Sequence, residues 1–324
     1  MTALNKPVLV VVDHSGGVLT TPSAEVLTLA RTLAGDGDVV AVALESPDLP
    51  ALGRYGATEV AVPELGGQSA EVAAVVAEAV LAVVARSQPA AVLLVSSFAG
   101  KEVAARLAVA LGSGAIVDAT GVQVADDGSL AVTKVVLQGS WDTTCTVRRG
   151  LPVIAVKPTS VDAVAVDAAE PAVVAVPVEL SEVARAVRVV SRTEHPRGGR
   201  APLAEAKAVV VGGRGVEGDF GLVEELADEI GAAVGATRVA TDEGWIDHAA
   251  QIGQTGVTIA PRLYIGVGVS GAIHHTAGMQ AAETIIAVNN DPEAPIFEMA
   301  DLGIVGDLGD VLPQALDELR RLRG

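Results

Sequence analysis

Short apolar runs alternate with helix-like stretches along the first half of this chain. The runs cover residues 7–13, 38–44, 59–63 and 90–96 and are rich in Val, Ala and Leu. Runs of this kind are typical of strands that are buried on both faces of a parallel sheet. The stretches between them predict helices at 23–34, 69–86 and 101–111, the first two capped by Ser23 and Ser69. This alternation predicts a mostly parallel sheet with helices on both faces.

The pattern then changes twice. From Ala131 to about Leu180 it has no helical period, and short Val-rich pieces at 134–137, 145–148 and 153–156 predict added strands. Residues 191–200 are polar and basic without periodicity, and strand-like sequence resumes at Ala208. We therefore predict an N-terminal α/β domain over 1–190, a linker over 191–205 and a second domain over 206–324. His195, in the linker, is predicted to be solvated.

The second half again alternates strands and helices. Strands are predicted at 208–211, 236–240, 263–267, 284–288 and 303–305, and helices at 220–233, after Ser270 as a cap, and from Asp310. Leu222, Leu226 and Ile230 lie four residues apart, so one face of the first of these helices should pack on the sheet. The second domain is predicted to be doubly wound.

Composition narrows the functional classes. The chain has 324 residues, 50% of them hydrophobic, with a formal net charge of −18 and 2% aromatic residues. Acidity and scarce aromatics argue against nucleic-acid binding. No apolar run approaches the roughly 18 residues of a membrane span, which predicts a cytoplasmic protein without stable membrane insertion. Cys145 is the single cysteine, so it is expected to be a packing residue, and no metal site is predicted.

Candidate chemistry lies where strands end, because ligands of doubly wound sheets bind outside the carboxyl ends of the strands. The first such junction contains Gly213, Gly215 and Gly218 in a G-x-G-x-x-G spacing between a strand and a helix. Glycines here let the backbone approach a phosphate beside a helix N-terminus. A plain tight turn explains them equally well.

Arginines and amides at the next junctions strengthen the pattern. Arg214 and Arg238 are two of the four basic residues between 201 and 319, and a guanidinium group suits a diphosphate or an electron-rich carbonyl. Each could instead be a surface arginine that balances local carboxylates. The loop from Gln251 to Gly256 contains two amides and a hydroxyl that could bind the edge of a planar heterocycle, or simply form a polar turn.

The last junctions add histidines and two acidic or amide residues. His274 and His275 lie in the first turn of a predicted helix, where adjacent side chains point about 100° apart and make a poor metal pair. One of them could face a bound group that becomes anionic. Asn289 is either a ligand or a turn former, and Asp307 either contacts a sugar or adenine group or caps a helix.

These motifs resemble the electron-transfer flavoprotein alpha-subunit family. The stretch from Leu263 to Asn289, the following Asp-Pro-Glu-Ala-Pro-Ile-Phe, and the Gly-Gly-Arg-Gly, Gly-Ala-Thr-Arg, Gly-Gln-Thr-Gly and Gly-Ile-Val-Gly-Asp-Leu segments agree with it in order and spacing. The resemblance is continuous from about Ala206 to the C-terminus and looser over 1–190. It implies a nucleotide-hydrolase-like first domain at the subunit interface, and a second domain that binds FAD.

The resemblance also implies roles for single residues. Arg238 would lie by the isoalloxazine ring, Thr255 near N5, and His275 at the C2 carbonyl. Thr237 stands where a serine is common, and His274 where a glutamine is common. The implied FAD-binding residues are Arg214, Thr237, Arg238, Gln251, Ile252, Gly253, Gln254, Thr255, Gly268, Ser270, Gly271, Ala272, Ile273, His274, His275, Asn289, Asp307 and Leu308.

A family member of this kind is an electron carrier without a small-molecule substrate of its own. The resemblance implies a heterodimer with a beta subunit, electrons taken from acyl-CoA and related dehydrogenases of fatty acid beta-oxidation, and a quinone oxidoreductase or other acceptor. An alternative is a nicotinamide-dependent oxidoreductase, based on the G-x-G-x-x-G loop and on Asp242 at a distance suited to a ribose contact. A structural nucleotide-binding subunit is the third interpretation.

Overall fold

The described residues pack as two units, divided between Glu194 and His195. The computed structural model describes residues 3–137, 141–191 and 199–323. Linker residues 192–198, including His195, therefore lie outside the described residues. Among the residues that the structure describes, no helix has both the length and the apolar character needed to cross a membrane.

The first unit contains one large sheet and a small hairpin. Its strands are β1 (Val8–Val12), β2 (His14–Ser15), β3 (Val18–Leu19), β4 (Val39–Ala43), β5 (Glu59–Glu64), β6 (Ala91–Val95), β7 (Ala115–Val124), β8 (Leu130–Val136), β9 (Trp141–Cys145), β10 (Val153–Val156) and β11 (Ala172–Pro177). Its helices are α1 (Thr21–Ala34), α2 (Leu49–Tyr55), α3 (Ala73–Ser87), α4 (Phe98–Ala110) and α5 (Glu182–Ala186).

The large sheet has the order β11-β5-β4-β1-β6-β10-β7-β8-β9. Its pairings are parallel except for β7–β8 and β8–β9, which are antiparallel. Helices α1 and α2 pack with one face of the sheet, and α3 and α4 pack with the other. Central strands such as β1 and β6 are fully buried, which explains their continuous apolar sequence.

The second unit contains a five-stranded parallel sheet. Its strands are β12 (Ala208–Gly212), β13 (Ala233–Ala236), β14 (Leu263–Val267), β15 (Thr284–Asn289) and β16 (Leu302–Val305), and its helices are α6 (Gly221–Ile230), α7 (Arg238–Asp242), α8 (Ile273–Thr276) and α9 (Leu308–Arg323). The strand order is β13-β12-β14-β15-β16, and every pairing is parallel. This is a doubly wound order whose direction reverses between β12 and β14.

Successive valines of β12 separate the two faces of this sheet. Val210 packs with α6 and α9, whereas Val209 and Val211 pack with a cluster that includes Tyr264 and Ile296. The predicted fold class of two α/β domains is therefore confirmed. Parallel sheets also bring the carboxyl ends of neighbouring strands to one edge, where the candidate residues follow.

Several predicted boundaries are wrong. Helix α1 is capped by Thr20, whose Oγ1 accepts the Ser23 N–H at 3.4 Å, while the buried Ser23 hydroxyl accepts the Asp13 N–H. Helix α3 begins at Ala73, so Ser69 does not cap it.

Further differences lie in strands and short helices. The strand predicted at 236–240 lies at 233–236, and a short helix follows from Arg238. The piece predicted at 145–148 is a strand at 141–145. The helix predicted at 220–233 ends at Ile230, because Gly231 adopts a left-handed conformation with φ of 68°. Helix α8 begins at Ile273 after Ala272, so Ser270 does not cap it.

A core substitution in β6 tests the packing of the first unit. Leu93 is 0% exposed at the centre of the sheet, so Leu93→Ala should lower the free energy of unfolding of this unit by roughly 2–5 kcal/mol. Hydrogen exchange of the β1 and β4 amides in low urea measures this loss. Val109→Ala, at a side chain that is 83% exposed, is the matched control. Equal losses in the two variants would contradict the assigned core.

Candidate functional site

Two glycine-containing loops meet at the point where the strand order reverses in the second unit. The Gly213 N–H donates to the Val267 carbonyl oxygen at 2.9 Å, and the Gly215 N–H donates to the Gly268 carbonyl oxygen at 3.0 Å. A Cβ atom on Gly213 would lie 2.2 Å from the same Gly268 oxygen. The loops after β12 and β14 can therefore approach this closely only because glycine stands at position 213.

The G-x-G-x-x-G segment does not lead directly into a helix. A 3-10 turn covers Arg214–Val216, and α6 begins only at Gly221. The start predicted for this helix, at about residue 220, is confirmed to within one residue, and Asp219 and Phe220 separate it from the last glycine. In this chain the first two glycines serve the contact between loops, which removes the main support for a nicotinamide site of the ordinary kind.

Arg238 begins the short helix that follows β13. The preceding Thr237 donates its N–H to the Gly212 carbonyl oxygen at 3.0 Å, which holds this loop beside the first. The Arg238 Nε lies 3.1 Å from Oδ2 of Asp242, and the two side chains are 67% and 50% exposed. An exposed pair of this type contributes at most about 1 kcal/mol. The Arg238 guanidinium group thus lies at the carboxyl edge of the sheet, and its ion pair with Asp242 holds it only weakly.

A buried amide connects this helix to the next loop. The Thr241 hydroxyl lies 2.9 Å from the Arg238 carbonyl oxygen and 3.1 Å from Oε1 of Gln251. Gln251 is 8% exposed, and its Nε2 donates to Oγ1 of Thr255 at 3.0 Å. Because the Thr255 oxygen already accepts this hydrogen bond, its own hydroxyl hydrogen can point toward a ligand. Thr255 itself is exposed.

The adjacent histidines occupy different environments. His274 is exposed, and its Nδ1 donates to Oε1 of Gln254 at 2.9 Å. His275 is 6% exposed. Its Nδ1 lies 2.9 Å from the Ile252 carbonyl oxygen and its Nε2 lies 2.8 Å from the Tyr264 hydroxyl.

The surroundings of His275 determine its protonation. Since a carbonyl oxygen only accepts hydrogen bonds, Nδ1 carries the hydrogen and Nε2 of the neutral ring accepts from Tyr264. Burial lowers the pKa of His275 to about 4, although the bond to Ile252 acts in the opposite direction. Burial also raises the pKa of Tyr264. The neutral His275 ring therefore does not donate from Nε2, and its predicted contact with a cofactor carbonyl requires a proton there.

Asn289 and Asp307 are engaged with the backbone. The Asn289 Nδ2 donates to the Val269 carbonyl oxygen at 2.8 Å, and its Oδ1 accepts from the Asp291 N–H at 3.0 Å. The Asp307 Oδ1 accepts from the Gly309 N–H at 2.7 Å at the start of α9. The turn-forming and capping alternatives for these two residues are thus present in the structure.

The other predicted residues fall on the same loops. Ser270 is exposed, and its carbonyl oxygen accepts from the Ile296 N–H at 3.1 Å. Ile273 is 72% exposed. The exposed members of the predicted set are Arg214, Arg238, Gln254, Thr255, Ser270, Ala272, Ile273, His274 and Asp307; the half-buried or buried members are Thr237, Gln251, Ile252, Gly253, Gly268, Gly271, His275, Asn289 and Leu308.

Sequence reasoning missed two residues of this arrangement. Thr241 links Arg238 to Gln251, and Tyr264 binds His275. Both resemble ordinary buried residues in sequence. A weak signal exists for Tyr264, because residue i+2 on the same face of its strand is Gly266, which leaves room for the ring.

Comparisons with known proteins agree across both units. A family model described as the electron transfer flavoprotein FAD-binding domain matches residues 202–280. A second model, described as the electron transfer flavoprotein domain, matches residues 8–181. Asn289, Asp307 and Leu308 lie beyond the first of these matches.

Three curated relatives that match nearly the whole chain each bear the name electron transfer flavoprotein subunit alpha. The protein of Mycobacterium leprae is 42% identical over 324 residues, with 98% of this chain and 99% of the relative covered. The Bacillus subtilis protein is 34% identical over 327 residues, with the same coverage. The Syntrophomonas wolfei protein is 37% identical over 324 residues, covering 96% of this chain and 98% of its own.

The lowered pKa of His275 predicts a pH-dependent stability for the cofactor-free chain. Below pH 6.5 the unfolded chain binds a proton that the folded chain takes up only near pH 4. The stability from the neutral ring is therefore complete above pH 6.5 and is lost as the pH falls. We expect this group to lower the free energy of unfolding of the second unit by roughly 2 kcal/mol between pH 7 and pH 5.

Urea denaturation at each pH measures this effect in wild type and in His275→Gln, which should lack that part of the dependence. His248→Gln is the control, because His248 is exposed in the same unit. If wild type and His275→Gln lose the same stability between pH 7 and pH 5, the assigned burial of the neutral ring is wrong.

Proposed function

We propose that this chain, which belongs to the electron transfer flavoprotein family as an alpha subunit, holds FAD at the carboxyl edge of its second sheet through the residues described above. When bound, FAD accepts and releases electrons, and its ring gains negative charge when it is reduced. The chain's own residues would bind and orient the cofactor and set the cost of that charge. The chain itself would convert no small-molecule substrate.

The observation that carries the proposal is a set of exposed donors attached to a buried polar scaffold. Thr255 is braced by Gln251, which is in turn held by Thr241 next to Arg238. Placing donors rigidly before charge develops is the main way in which a protein stabilises that charge. Arginine and hydroxyl donors also match the chemistry of FAD, which has an anionic diphosphate and a heterocycle with accepting edges.

Individual roles are proposed from the resemblance to the family. Arg238 would place positive charge beside the ring, and Thr255 would donate to its nitrogen edge. The histidine on the C2 carbonyl side of the ring is proposed to be His275 in its neutral form, with its ring nitrogens bound to Ile252 and Tyr264, and the exposed His274 lies next to it. Arg214, Thr237, Gln254 and Ser270 would contact the diphosphate and ribityl parts.

The two residues nearer the C-terminus would act differently. Asn289 uses both polar atoms on the backbone, so it would hold the Val269 loop in place. Asp307 would contact the adenosine part while capping α9.

The partners also belong to this proposal. The relatives' name marks each of them as one subunit of an assembly, which supports a heterodimer between this chain and a beta subunit. We place the subunit interface on the domain of residues 1–190, with 191–205 as linker and 206–324 as FAD-binding domain. Leu137, which follows β8, and Trp141, which begins β9, are 71% and 64% exposed, and this apolar surface supports the placement.

Electron donors and acceptors are inferred from the family. We propose acyl-CoA and related dehydrogenases as donors, a quinone oxidoreductase or other protein as acceptor, and a cytoplasmic location. The nicotinamide alternative is not favoured. Asp242, which would have contacted a ribose, pairs with Arg238, and α6 begins too late to serve a pyrophosphate at the glycine loop.

Reductive titration of the chain purified with its partner subunit and FAD tests this function. Arg238→Ala should lower the flavin midpoint potential by roughly 65–130 mV, because a charge-assisted hydrogen bond is worth roughly 1.5–3 kcal/mol and 59 mV corresponds to a factor of ten for one electron. Asp242→Asn, which releases Arg238 from its carboxylate, should raise the potential.

Arg262→Ala is the matched control for the loss of one positive charge. Arg262 directly precedes β14, at the opposite edge of the same sheet, so the potential should stay at its wild-type value. A preparation that binds no flavin in the presence of the partner subunit would overturn the function. Bound flavin with identical potentials in wild type and Arg238→Ala would remove Arg238 from it.

A further inference from the structure

We propose that Tyr264 is a positioning residue of the FAD site, whose hydroxyl fixes the orientation and tautomer of His275 and thereby holds the loop that carries Thr255. This inference rests on the proposed function, because Tyr264 can affect FAD only if the loop that carries Thr255 contacts FAD. The contacts themselves are properties of the chain alone. They connect a strand in the core to an exposed donor through a series of named hydrogen bonds.

Tyr264 is placed for this purpose by its strand. It is the second residue of β14 and is 0% exposed. Its ring lies over Gly266, where a Cβ atom would stand 2.9 Å from the tyrosine Cε1 and 3.2 Å from its hydroxyl oxygen. Residues i and i+2 share one face of a strand, so the absent side chain at 266 lets the ring run along the strand toward its carboxyl end.

The hydroxyl meets His275 in a defined direction. The Tyr264 oxygen lies 2.8 Å from Nε2 of His275, and the ring centroids are 6.1 Å apart. Because Nδ1 of His275 donates to Ile252, the neutral ring presents a lone pair at Nε2. The tyrosine must then donate its hydrogen. Burial of both groups disfavours their charged forms, which keeps this arrangement through neutral pH.

Ile252 links His275 to the 251–256 loop. Its N–H donates to the Ala236 carbonyl oxygen at 2.9 Å, at the end of β13, while its carbonyl oxygen accepts from His275. Residue 252 is therefore held from both sides, next to Gln251, which binds Thr255. Replacing the tyrosine hydroxyl would leave Nε2 of His275 buried without its donor, a condition that proteins avoid.

The 251–256 loop also packs closely against the backbone of His274, the residue before His275. A Cβ atom on Gly253 would lie 2.7 Å from the His274 carbonyl oxygen. The Gln254 N–H donates to that same oxygen at 2.8 Å. A change in the tilt of His275 would shift helix α8 and the 251–256 loop together. Tyr264 is thus expected to affect the cofactor although it does not contact it.

The test compares Tyr264→Phe with Tyr55→Phe. Tyr55 is the chain's other tyrosine and lies in the first unit, so the two variants lose the same atom. In the cofactor-free chain labelled with 15N-histidine, long-range 1H–15N spectra report which ring nitrogen carries the hydrogen. Wild type and Tyr55→Phe should show His275 with hydrogen on Nδ1 only, and Tyr264→Phe should change its Nε2 shift.

The same variants are then measured with the partner subunit and FAD. Tyr264→Phe should raise the dissociation constant of FAD by roughly tenfold or more, by analogy with the loss of outer partners around ligating histidines. It should also shift the midpoint potential, which a general loss of stability would not do. In a His275→Gln background the tyrosine substitution should have no further effect on FAD affinity.

The outcomes are distinguishable. An unchanged Nε2 resonance together with unchanged FAD affinity and potential would overturn the proposal. If Tyr264→Phe does not fold, 3-fluorotyrosine in the Tyr55→Phe chain makes only the remaining hydroxyl a stronger donor, and it should move the His275 Nε2 resonance; no movement would overturn the proposal. Failure of FAD to bind wild type would overturn the function, while the cofactor-free spectra still test the pair.

Discussion

The contact between two backbones at the reversal point of the second sheet is the constraint on which the candidate site depends. Gly213 and Gly215 donate to the last residue of β14 and to the residue after it, at a separation that no side chain on Gly213 would permit. This contact fixes the loop after β12 against the loop after β14. Thr237 binds the end of β12 in turn, which brings Arg238 to the same edge. The site is therefore assembled by main-chain packing before any charged group contributes.

The polar side chains at this edge of the sheet are of two kinds, buried and exposed. The buried side chains, such as Gln251 and His275, have their polar atoms hydrogen-bonded within the chain. These hydrogen bonds offset the free-energy cost of removing the polar atoms from water. Exposed ones, such as Arg238 and Thr255, are held weakly or by one partner only. The buried scaffold fixes where the loops that carry these donors lie, and donors that are in place before charge develops stabilise that charge at a lower cost of reorganisation.

The sequence alone predicts the strands whose residues are all buried, but it does not predict a strand whose residues are mostly half-buried. Strands β1, β4 and β6 were predicted because every residue in them is buried and apolar. Strand β7 was missed because its residues are mostly half-buried and mixed in polarity. The strand before Arg238 was misplaced by three residues, because Ala, Val and Gly continue on both sides of its true boundary. A nearby threonine, Thr20, also replaced the expected Ser23 as a cap.

Tertiary contacts explain what could not be predicted at the site. Adjacent positions on a helix point in different directions, so the sequence cannot tell which of His274 and His275 is buried. That outcome depends on Tyr264 in β14 and on the Ile252 carbonyl, which are distant in sequence. For Asn289 and Asp307 the sequence allows either a structural role, in a turn or a helix cap, or a contact with a ligand. The hydrogen bonds within the chain show the structural role.

The central claim is that FAD binds at the carboxyl edge of the second sheet. Hydrogen exchange of the chain with its partner subunit, measured with and without FAD, tests it most directly. We expect FAD to slow exchange in residues 213–218, 237–242, 251–256 and 268–276, where the loops already contact one another. Unchanged exchange in these loops, under conditions where the visible spectrum shows bound flavin, would contradict the account. So would protection confined to residues 8–181.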